Sequence, residues 1–231
     1  MKTSKIIFIS LLSTIAFLIL AALVDIRING KPIHIKAADL KVNKHSVPSF
    51  KVLYISSSKN INLIQNDSSF IEETWQPNSP VPLMNYTLRG DTLMISDLMP
   101  STYNPFPVKI YYTNSLKKIF SINSSVSMKR FGSQTLSLDL DKSIISFNQD
   151  KNRNSAMTVL NIVAKNHSNI NVEGFKVDSL GIFLEHSEVS LKIISKKISG
   201  TLSDYSKITV WQSEEISLKK DATSKINVSD F

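Results

Sequence analysis

The most constraining feature of this 231-residue sequence is a repeat of six short segments in its C-terminal half. Each segment reads serine, any residue, isoleucine or valine, any residue, apolar residue. Successive serines lie 19, 25, 19, 19 and 18 residues apart. The serines are Ser124, Ser143, Ser168, Ser187, Ser206 and Ser224, and the branched residues that follow them are Val126, Ile145, Ile170, Val189, Ile208 and Ile226.

A fixed period of this size predicts an all-β fold, a β-solenoid with about 19 residues per coil. The serine, the branched residue and the last apolar residue share the same parity, so they should face the interior. Stacked coils should also bring outward Glu188 beside Lys207. The alternative is an ordinary sandwich whose strands happen to be evenly spaced, but sandwiches rarely keep residue identity in register over so many intervals.

The N-terminus has the composition of a membrane segment. Lys2 and Lys5 precede an uncharged run of 19 residues from Ile6 to Val24, which Asp25 ends. A helix of that length would span the ~30 Å hydrocarbon core. We therefore expect a short cytoplasmic tail at 1–5, a transmembrane signal-anchor helix at 6–24 with the lipid bilayer as its partner, and an exported remainder. A cleaved signal peptide is the alternative interpretation.

Short alternating apolar patterns after the anchor predict half-buried strands. We expect a linker with the first strands at 25–44, and a solenoid domain at 45–231 whose repeats start near residue 114, with a strand-rich cap on its N-terminal side. The residues expected to point inward are Ile33, Ile35, Val52, Tyr54, Ile61, Leu63, Leu93, Ile95, Val108 and Ile110. We expect the following aromatic residues to lie in the core or to stack between coils: Trp75, Tyr111, Tyr112 and Trp211.

Three short motifs precede or introduce the repeats: residues 48–52 (PSFKV), 60–67 (NINLIQND) and 89–95 (RGDTLMI). Together with the repeats, they resemble the auto-transporter adhesin head GIN domain family, a domain of unknown function common in Bacteroidetes. The resemblance implies a right-handed β-solenoid on the cell envelope. Family members often carry Ser-Gly-Ser-Gly turns before the branched strand. Here other triplets stand in their place, at 123–125 (NSS), 166–168 (NHS) and 204–206 (DYS).

Two histidines suggest a corner shared by adjacent coils. His167 and His186 lie 19 residues apart, and each immediately precedes a repeat serine. With Glu185 and Asp204 nearby, they are weak candidates for a divalent-metal site, since imidazole and carboxylate suit such ions. A variable surface corner is the favoured interpretation, so we expect no metal and no cofactor.

The sequence offers little for catalysis. A serine nucleophile needs a base within reach, and adjacent side chains of a strand point to opposite faces, so the repeat serines are predicted to be structural. The carboxylate pairs Glu72-Glu73 and Glu214-Glu215 are expected to be solvated rather than a glycosidase pair. The absence of cysteine excludes thiol nucleophiles and cysteine-ligated metals. We therefore expect no catalytic residues.

The net charge of +8 comes mainly from lysine, since only 4 of the 27 basic residues are arginine. Arginine-poor charge and export both argue against nucleic acid. We expect a non-enzymatic binding, adhesion or structural role in the periplasm or on the cell surface of a Gram-negative bacterium. We expect a glycan or a protein as its partner, or a second copy of the chain that covers the open edge of the C-terminal coil. The alternatives are a carbohydrate-active enzyme or an envelope sensor on the same scaffold.

Overall fold

The computed structural model describes residues 2–29, 40–57, 60–75, 85–96, 106–129, 131–148 and 156–229. The chain divides into two units, Met1–Asp39 and Leu40–Phe231. The first contains the helix α1 (Lys2–Asn29). The described part of the second is built of strands: β1 (Lys41–Ser46), β2 (Val52–Ser56), β3 (Ile61–Gln65), β4 (Phe70–Trp75), β5 (Tyr86–Arg89), β6 (Thr92–Ser96), β7 (Val108–Tyr112), β8 (Lys118–Ile122), β9 (Ser125–Lys129), β10 (Thr135–Asp141), β11 (Ile144–Asn148), β12 (Ala156–Lys165), β13 (Asn169–Glu185), β14 (Glu188–Ser203), β15 (Lys207–Lys220) and β16 (Lys225–Val228).

Helix α1 extends beyond the segment predicted from the apolar run. It continues past Val24 through Asp25 and Arg27 to Asn29, because a charged residue ends an apolar run but does not end a helix. Among the described residues, no helix combines the length and the apolar composition needed to cross a bilayer. The predicted transmembrane helix between Ile6 and Val24 is therefore not supported.

The strands of the second unit form two walls around one core. The first wall contains, in order, β1, β4, β7, β3, β9 and β11, and the second contains β5, β6, β2, β8, β10 and β12. The long strands β13, β14 and β15 belong to both walls. In β13, for example, Asn169–Glu173 pairs with β11 and Lys176–Glu185 pairs with β12. The chain turns between the two walls at Gly174, whose φ of 85° favours glycine.

Most neighbouring strands run in the same direction. Twelve of the fifteen strand pairs between described strands are parallel, and equivalent positions of successive repeats lie side by side. The predicted contact between Glu188 and Lys207 is confirmed, with Nζ 2.8 Å from Oε1. Parallel pairing also includes strands before the repeats, since β2 lies beside β8 and β3 beside β9.

The inward residues of both walls form a single apolar cluster. The branched residues of the first five repeats are at most 2% exposed, and Ile226 is partly buried. The predicted inward residues from Ile61 to Ile110 are buried, whereas Ile33 and Ile35 lie outside the described residues.

The prediction for β2 was wrong, because Leu53 and Ile55 are its buried residues and Val52 and Tyr54 face outward. Because four consecutive residues of β2 are apolar, their pattern does not show which of them face the core, that is, the phase of the strand. The phase is set instead by pairing with β6 and β8.

The repeat serines form a hydrogen-bonded ladder inside one corner of the stack. All six are buried. The N–H of Ser124 donates to the hydroxyl of Ser143 at 3.2 Å, and the same contact joins Ser143 to Ser168, Ser168 to Ser187, and Ser187 to Ser206. The first five hydroxyls donate in turn to a carbonyl two or three residues earlier. The small serine thus satisfies backbone groups of two successive repeats where an inward side chain has little room.

Candidate binding surface

The predicted histidine corner lies directly before the repeat serines. His167 and His186 both have a positive φ, of 66° and 49°, and their ring centroids are 3.8 Å apart. The Nδ1 atom of His186 is 3.3 Å from a carboxylate oxygen of Asp204. The fourth candidate, Glu185, lies 4.0 Å from the ammonium of Lys165 instead.

This arrangement packs the two imidazoles against each other. Within the described ranges, no group of three histidine, cysteine or acidic side chains could hold a metal ion.

The residues at this corner also explain how the turns before the branched strands form without the glycines of the Ser-Gly-Ser-Gly pattern. Asparagine and aspartate tolerate positive φ better than most residues, and Asn123, Asn166 and Asp204 have φ between 47° and 55°.

The repeat serines are unsuited to nucleophilic attack in this fold. Ser143 and Ser206 are fully buried, and each donates its proton to a backbone carbonyl. A nucleophile would need access to substrate and a base that takes its proton. Their geometry is that of structural groups.

The carboxylates Glu72 and Glu73 were predicted to be solvated, which was wrong. They are 7% and 3% exposed, because β4 lies between β1 and β7. Glu72 accepts from Lys109 at 2.7 Å, and this hydrogen bond raises the pKa of that lysine. Lys44 lies 3.5 Å from the same carboxylate.

Glu73 points to the other side of β4, where its carboxylate is 3.2 Å from Nε2 of His45. Both carboxylates are therefore engaged by neighbouring strands. The second predicted pair, Glu214 and Glu215, is exposed as expected.

The aromatic residues predicted to lie in the core or to stack between coils divide into two groups. Trp75 and Tyr112 are buried, and burial raises the pKa of Tyr112. Tyr111 lies on the outer side of the first wall, stacked on Phe70 with centroids 4.0 Å apart. Trp211 is partly exposed and has the ammonium of Lys192 5.4 Å from its ring.

The outer side of the second wall carries a line of mostly apolar side chains, three of them aromatic, that we call the aromatic column. Its members occupy equivalent outward positions on consecutive strands, and all are partly or clearly exposed. Strand register places them in the order Met94, Tyr54, Phe120, Asp139, Val163 and Phe183.

The column is a mixed surface rather than a purely apolar one. Phe183 is 40% exposed, and the rings of Tyr54 and Phe120 are 6.4 Å apart. The ammonium of Lys118 lies 4.0 Å from the centroid of Phe120 and 3.8 Å from the carboxylate of Asp139. Aromatic rings beside fixed polar groups are typical of ligand-binding surfaces.

The spacing of residues along the sequence does not predict this column. The only indication was that apolar residues occupy both parities, as at Ile119-Phe120 and Ile182-Phe183. Strands that are buried on one face usually alternate apolar and polar residues, so an apolar residue on the outer face departs from that pattern. Only the strand register shows that these outer residues form one line.

Comparison with known proteins supports the fold. No protein-family model and no curated protein sequence matches the chain. An adhesin candidate from Bacteroides fragilis is similar in structure with a TM-score of 0.58 at 14% identity, over 83% of this chain and 97% of that one. A candidate lipid-binding protein from Parabacteroides distasonis is similar with a TM-score of 0.52 at 12% identity, over 84% and 98%. At these identities the likeness is one of fold.

Proposed function

We propose that this chain is a non-enzymatic binding protein of the cell envelope, built on a right-handed β-solenoid with about 19 residues per coil. Two observations support the scaffold: the period of the six repeats, and the parallel pairing of their equivalent residues. The handedness is the usual one for parallel strands joined by crossovers. A crystal structure of the full chain with left-handed coils would refute this part.

The aromatic column is the single observation that carries the binding role. Five of the six side chains in the column are apolar or aromatic and are partly or clearly exposed. Aligned apolar surface in contact with water marks interaction sites on soluble proteins. The paired strands fix the backbone positions of these side chains, so less conformational entropy is lost on binding than for a mobile loop. A binding surface explains both the exposure and the alignment of these residues.

A non-enzymatic role agrees with the chemistry of the other candidates. The repeat serines are used by the backbone, and the buried carboxylates are engaged by lysine or histidine. The names of the two structural neighbours, an adhesin and a lipid-binding candidate, also describe binding rather than catalysis. These names support the proposal for this chain only by similarity of fold.

The exported side of a bacterial envelope is the proposed location. The support is the N-terminal sequence, in which Lys2 and Lys5 precede a long apolar run, as in export signals. Cell fractionation with protease treatment of intact spheroplasts tests it. Protection from protease in intact spheroplasts would contradict export.

The binding role can be tested with the purified full chain. Immobilised protein would be exposed to neutral glycans, acidic polysaccharides, peptidoglycan fragments and phospholipid vesicles, and the reducing ends released would be measured in parallel. We expect saturable binding to one of these classes without bond cleavage. Release of new reducing ends would support the carbohydrate-active enzyme instead, and no binding to any class would refute the proposal.

A further inference from the structure

We propose that the aromatic column binds a neutral, extended glycan whose chain crosses the strands and follows the stacking direction. This inference rests on the binding role proposed above and adds the class of ligand. Its basis is the arrangement of rings, polar groups and charges around Tyr54, Phe120 and Phe183.

The spacing of the column suits a polymer of sugar rings. Neighbouring strands lie about 4.8 Å apart, so outward side chains at equivalent positions recur at that interval. This interval is similar to the length of one pyranose unit in an extended chain. A glycan lying along the column would therefore present successive rings to successive strands, from Tyr54 on β2 to Phe183 on β13.

Hydrogen-bonding groups lie within the column and immediately beside it. Asp139 separates Phe120 from Val163, and Ser137 and Asn161 occupy the next outward positions on β10 and β12. A sugar ring has an apolar face of C–H groups and a rim of hydroxyls, so it needs ring surfaces and polar atoms at close intervals. A protein or lipid partner would instead favour an uninterrupted apolar centre with polar groups at the rim.

One glycine helps to position a polar group of this surface. Gly181 lies beside Asn161 in the strand register, and a Cβ atom at Gly181 would be only 2.5 Å from the amide oxygen of Asn161. The missing side chain leaves room for the Asn161 amide beside Gly181, two residues before Phe183 on β13.

The two lysines that lie over rings of the column are each paired with a carboxylate. Lys118 lies over Phe120 and also pairs with Asp139, and Lys165 lies 5.6 Å from the ring of Phe183 while it pairs with Glu185. An anionic ligand would favour lysines that are not already matched by carboxylates. The paired lysines therefore complement a neutral ligand.

The test uses the full chain and an array of neutral oligosaccharides that includes β-glucans, xylan, mannan and galactan fragments of increasing length. Acidic polysaccharides and vesicles of phosphatidylglycerol with phosphatidylethanolamine are included as alternatives. We expect binding of a neutral series that strengthens with chain length and changes little with added salt. Tyr54→Ala and Phe183→Ala should each weaken it by about fivefold to tenfold, from the worth of an aromatic contact.

Ile144→Ala is the matched control, because Ile144 is 55% exposed on the outer side of the first wall. It should change affinity by less than about twofold. Binding only to acidic polysaccharide or vesicles would overturn the glycan inference and leave the binding role standing. Neutral-glycan binding that neither column variant weakens would show that another surface is the site, and no binding to any probe would refute both proposals.

Discussion

The backbone N–H of Ser143 donates a hydrogen bond to the hydroxyl of Ser168, 3.1 Å away and 25 residues further along the chain. This is the longest interval between repeat serines, yet the contact is the same as across the 19-residue intervals. The ladder therefore keeps these serines in register although the connection between the two repeats differs in length. Loop length is tolerated because closing a longer loop costs little additional free energy.

Ser143→Ala should lower the free energy of unfolding by about 1–3 kcal/mol, because it leaves buried groups without partners. The Ser143 hydroxyl accepts from the N–H of Ser124 and from Ser121, and donates to the carbonyl of Asp141. Urea denaturation measures the change. Ser190→Ala, on the outer face, should stay within about 0.5 kcal/mol. Equal losses for the two variants would show that the ladder contributes nothing specific.

Lys142→Gly should stabilise the protein by about 0.5–1 kcal/mol. Lys142 has a φ of 49°, in the left-handed region where a Cβ atom is strained and glycine is not. Thermal unfolding compares it with Lys142→Ala, which keeps the strain and should give no gain. A gain of the same size with alanine would point to removal of the lysine charge as the cause.

Gly200→Ala should destabilise the protein by about 1–3 kcal/mol or more, as overpacking does. The backbone of Gly200 has a φ of 149°, and a Cβ atom there would lie 1.8 Å from the carbonyl oxygen of Ile182 on the neighbouring strand. Gly90→Ala is the control, because Gly90 also has a positive φ but no atom within 4 Å of an added Cβ. Gly90→Ala should lower the free energy of unfolding by only about 1 kcal/mol. A larger loss for Gly90→Ala than for Gly200→Ala would contradict the steric argument.

Asp221 should make the last turn sensitive to acid. Its carboxylate accepts from the N–H groups of Asp204, Thr223 and Ser224, and these bonds hold its pKa well below the usual range. The pKa of Asp221 is lower in the folded protein than in the unfolded chain, where it is about 3.9. The stabilisation by its charge is therefore fully present above that pH and is lost as the pH falls through the folded pKa.

Asp221→Asn removes this titration. The difference in urea midpoint between the natural protein and the variant should be largest near neutral pH and should shrink as the pH falls below about 4. A difference that stays constant from pH 7 to pH 2 would show that the charge of Asp221 does not stabilise the turn.

Lys109→Met should cost about 1–3 kcal/mol, since it removes a charged hydrogen bond from the buried carboxylate of Glu72. Lys207→Met, which breaks the exposed pair with Glu188, should change stability by less than about 1 kcal/mol. The hydrogen bond to Glu72 raises the pKa of Lys109 in the folded protein. The stabilisation from this pair is therefore fully present at pH values below the ordinary pKa of lysine, and it is lost as the pH rises through the raised pKa. Denaturation at pH 7 distinguishes the pairs, and equal effects would show that burial of Glu72 is unimportant.

The sequence alone determined the features that depend on repetition and parity. The inward serines and the Glu188–Lys207 contact both follow from the period near 19 residues, because each repeat pairs in register with the next. Each is a relation between equivalent positions of a repeat, so a pattern along the chain contains it.

Only the tertiary structure decided the phase of β2, the burial of Glu72 and Glu73, and the alignment of Tyr54 with Phe120 and Phe183. These features depend on which strands become neighbours when the order of the walls departs from the order of the chain, as β4 beside β1 and β7 does. Side-chain period can place a residue on one face of a strand, but pairing between distant strands determines what covers that face and what remains exposed.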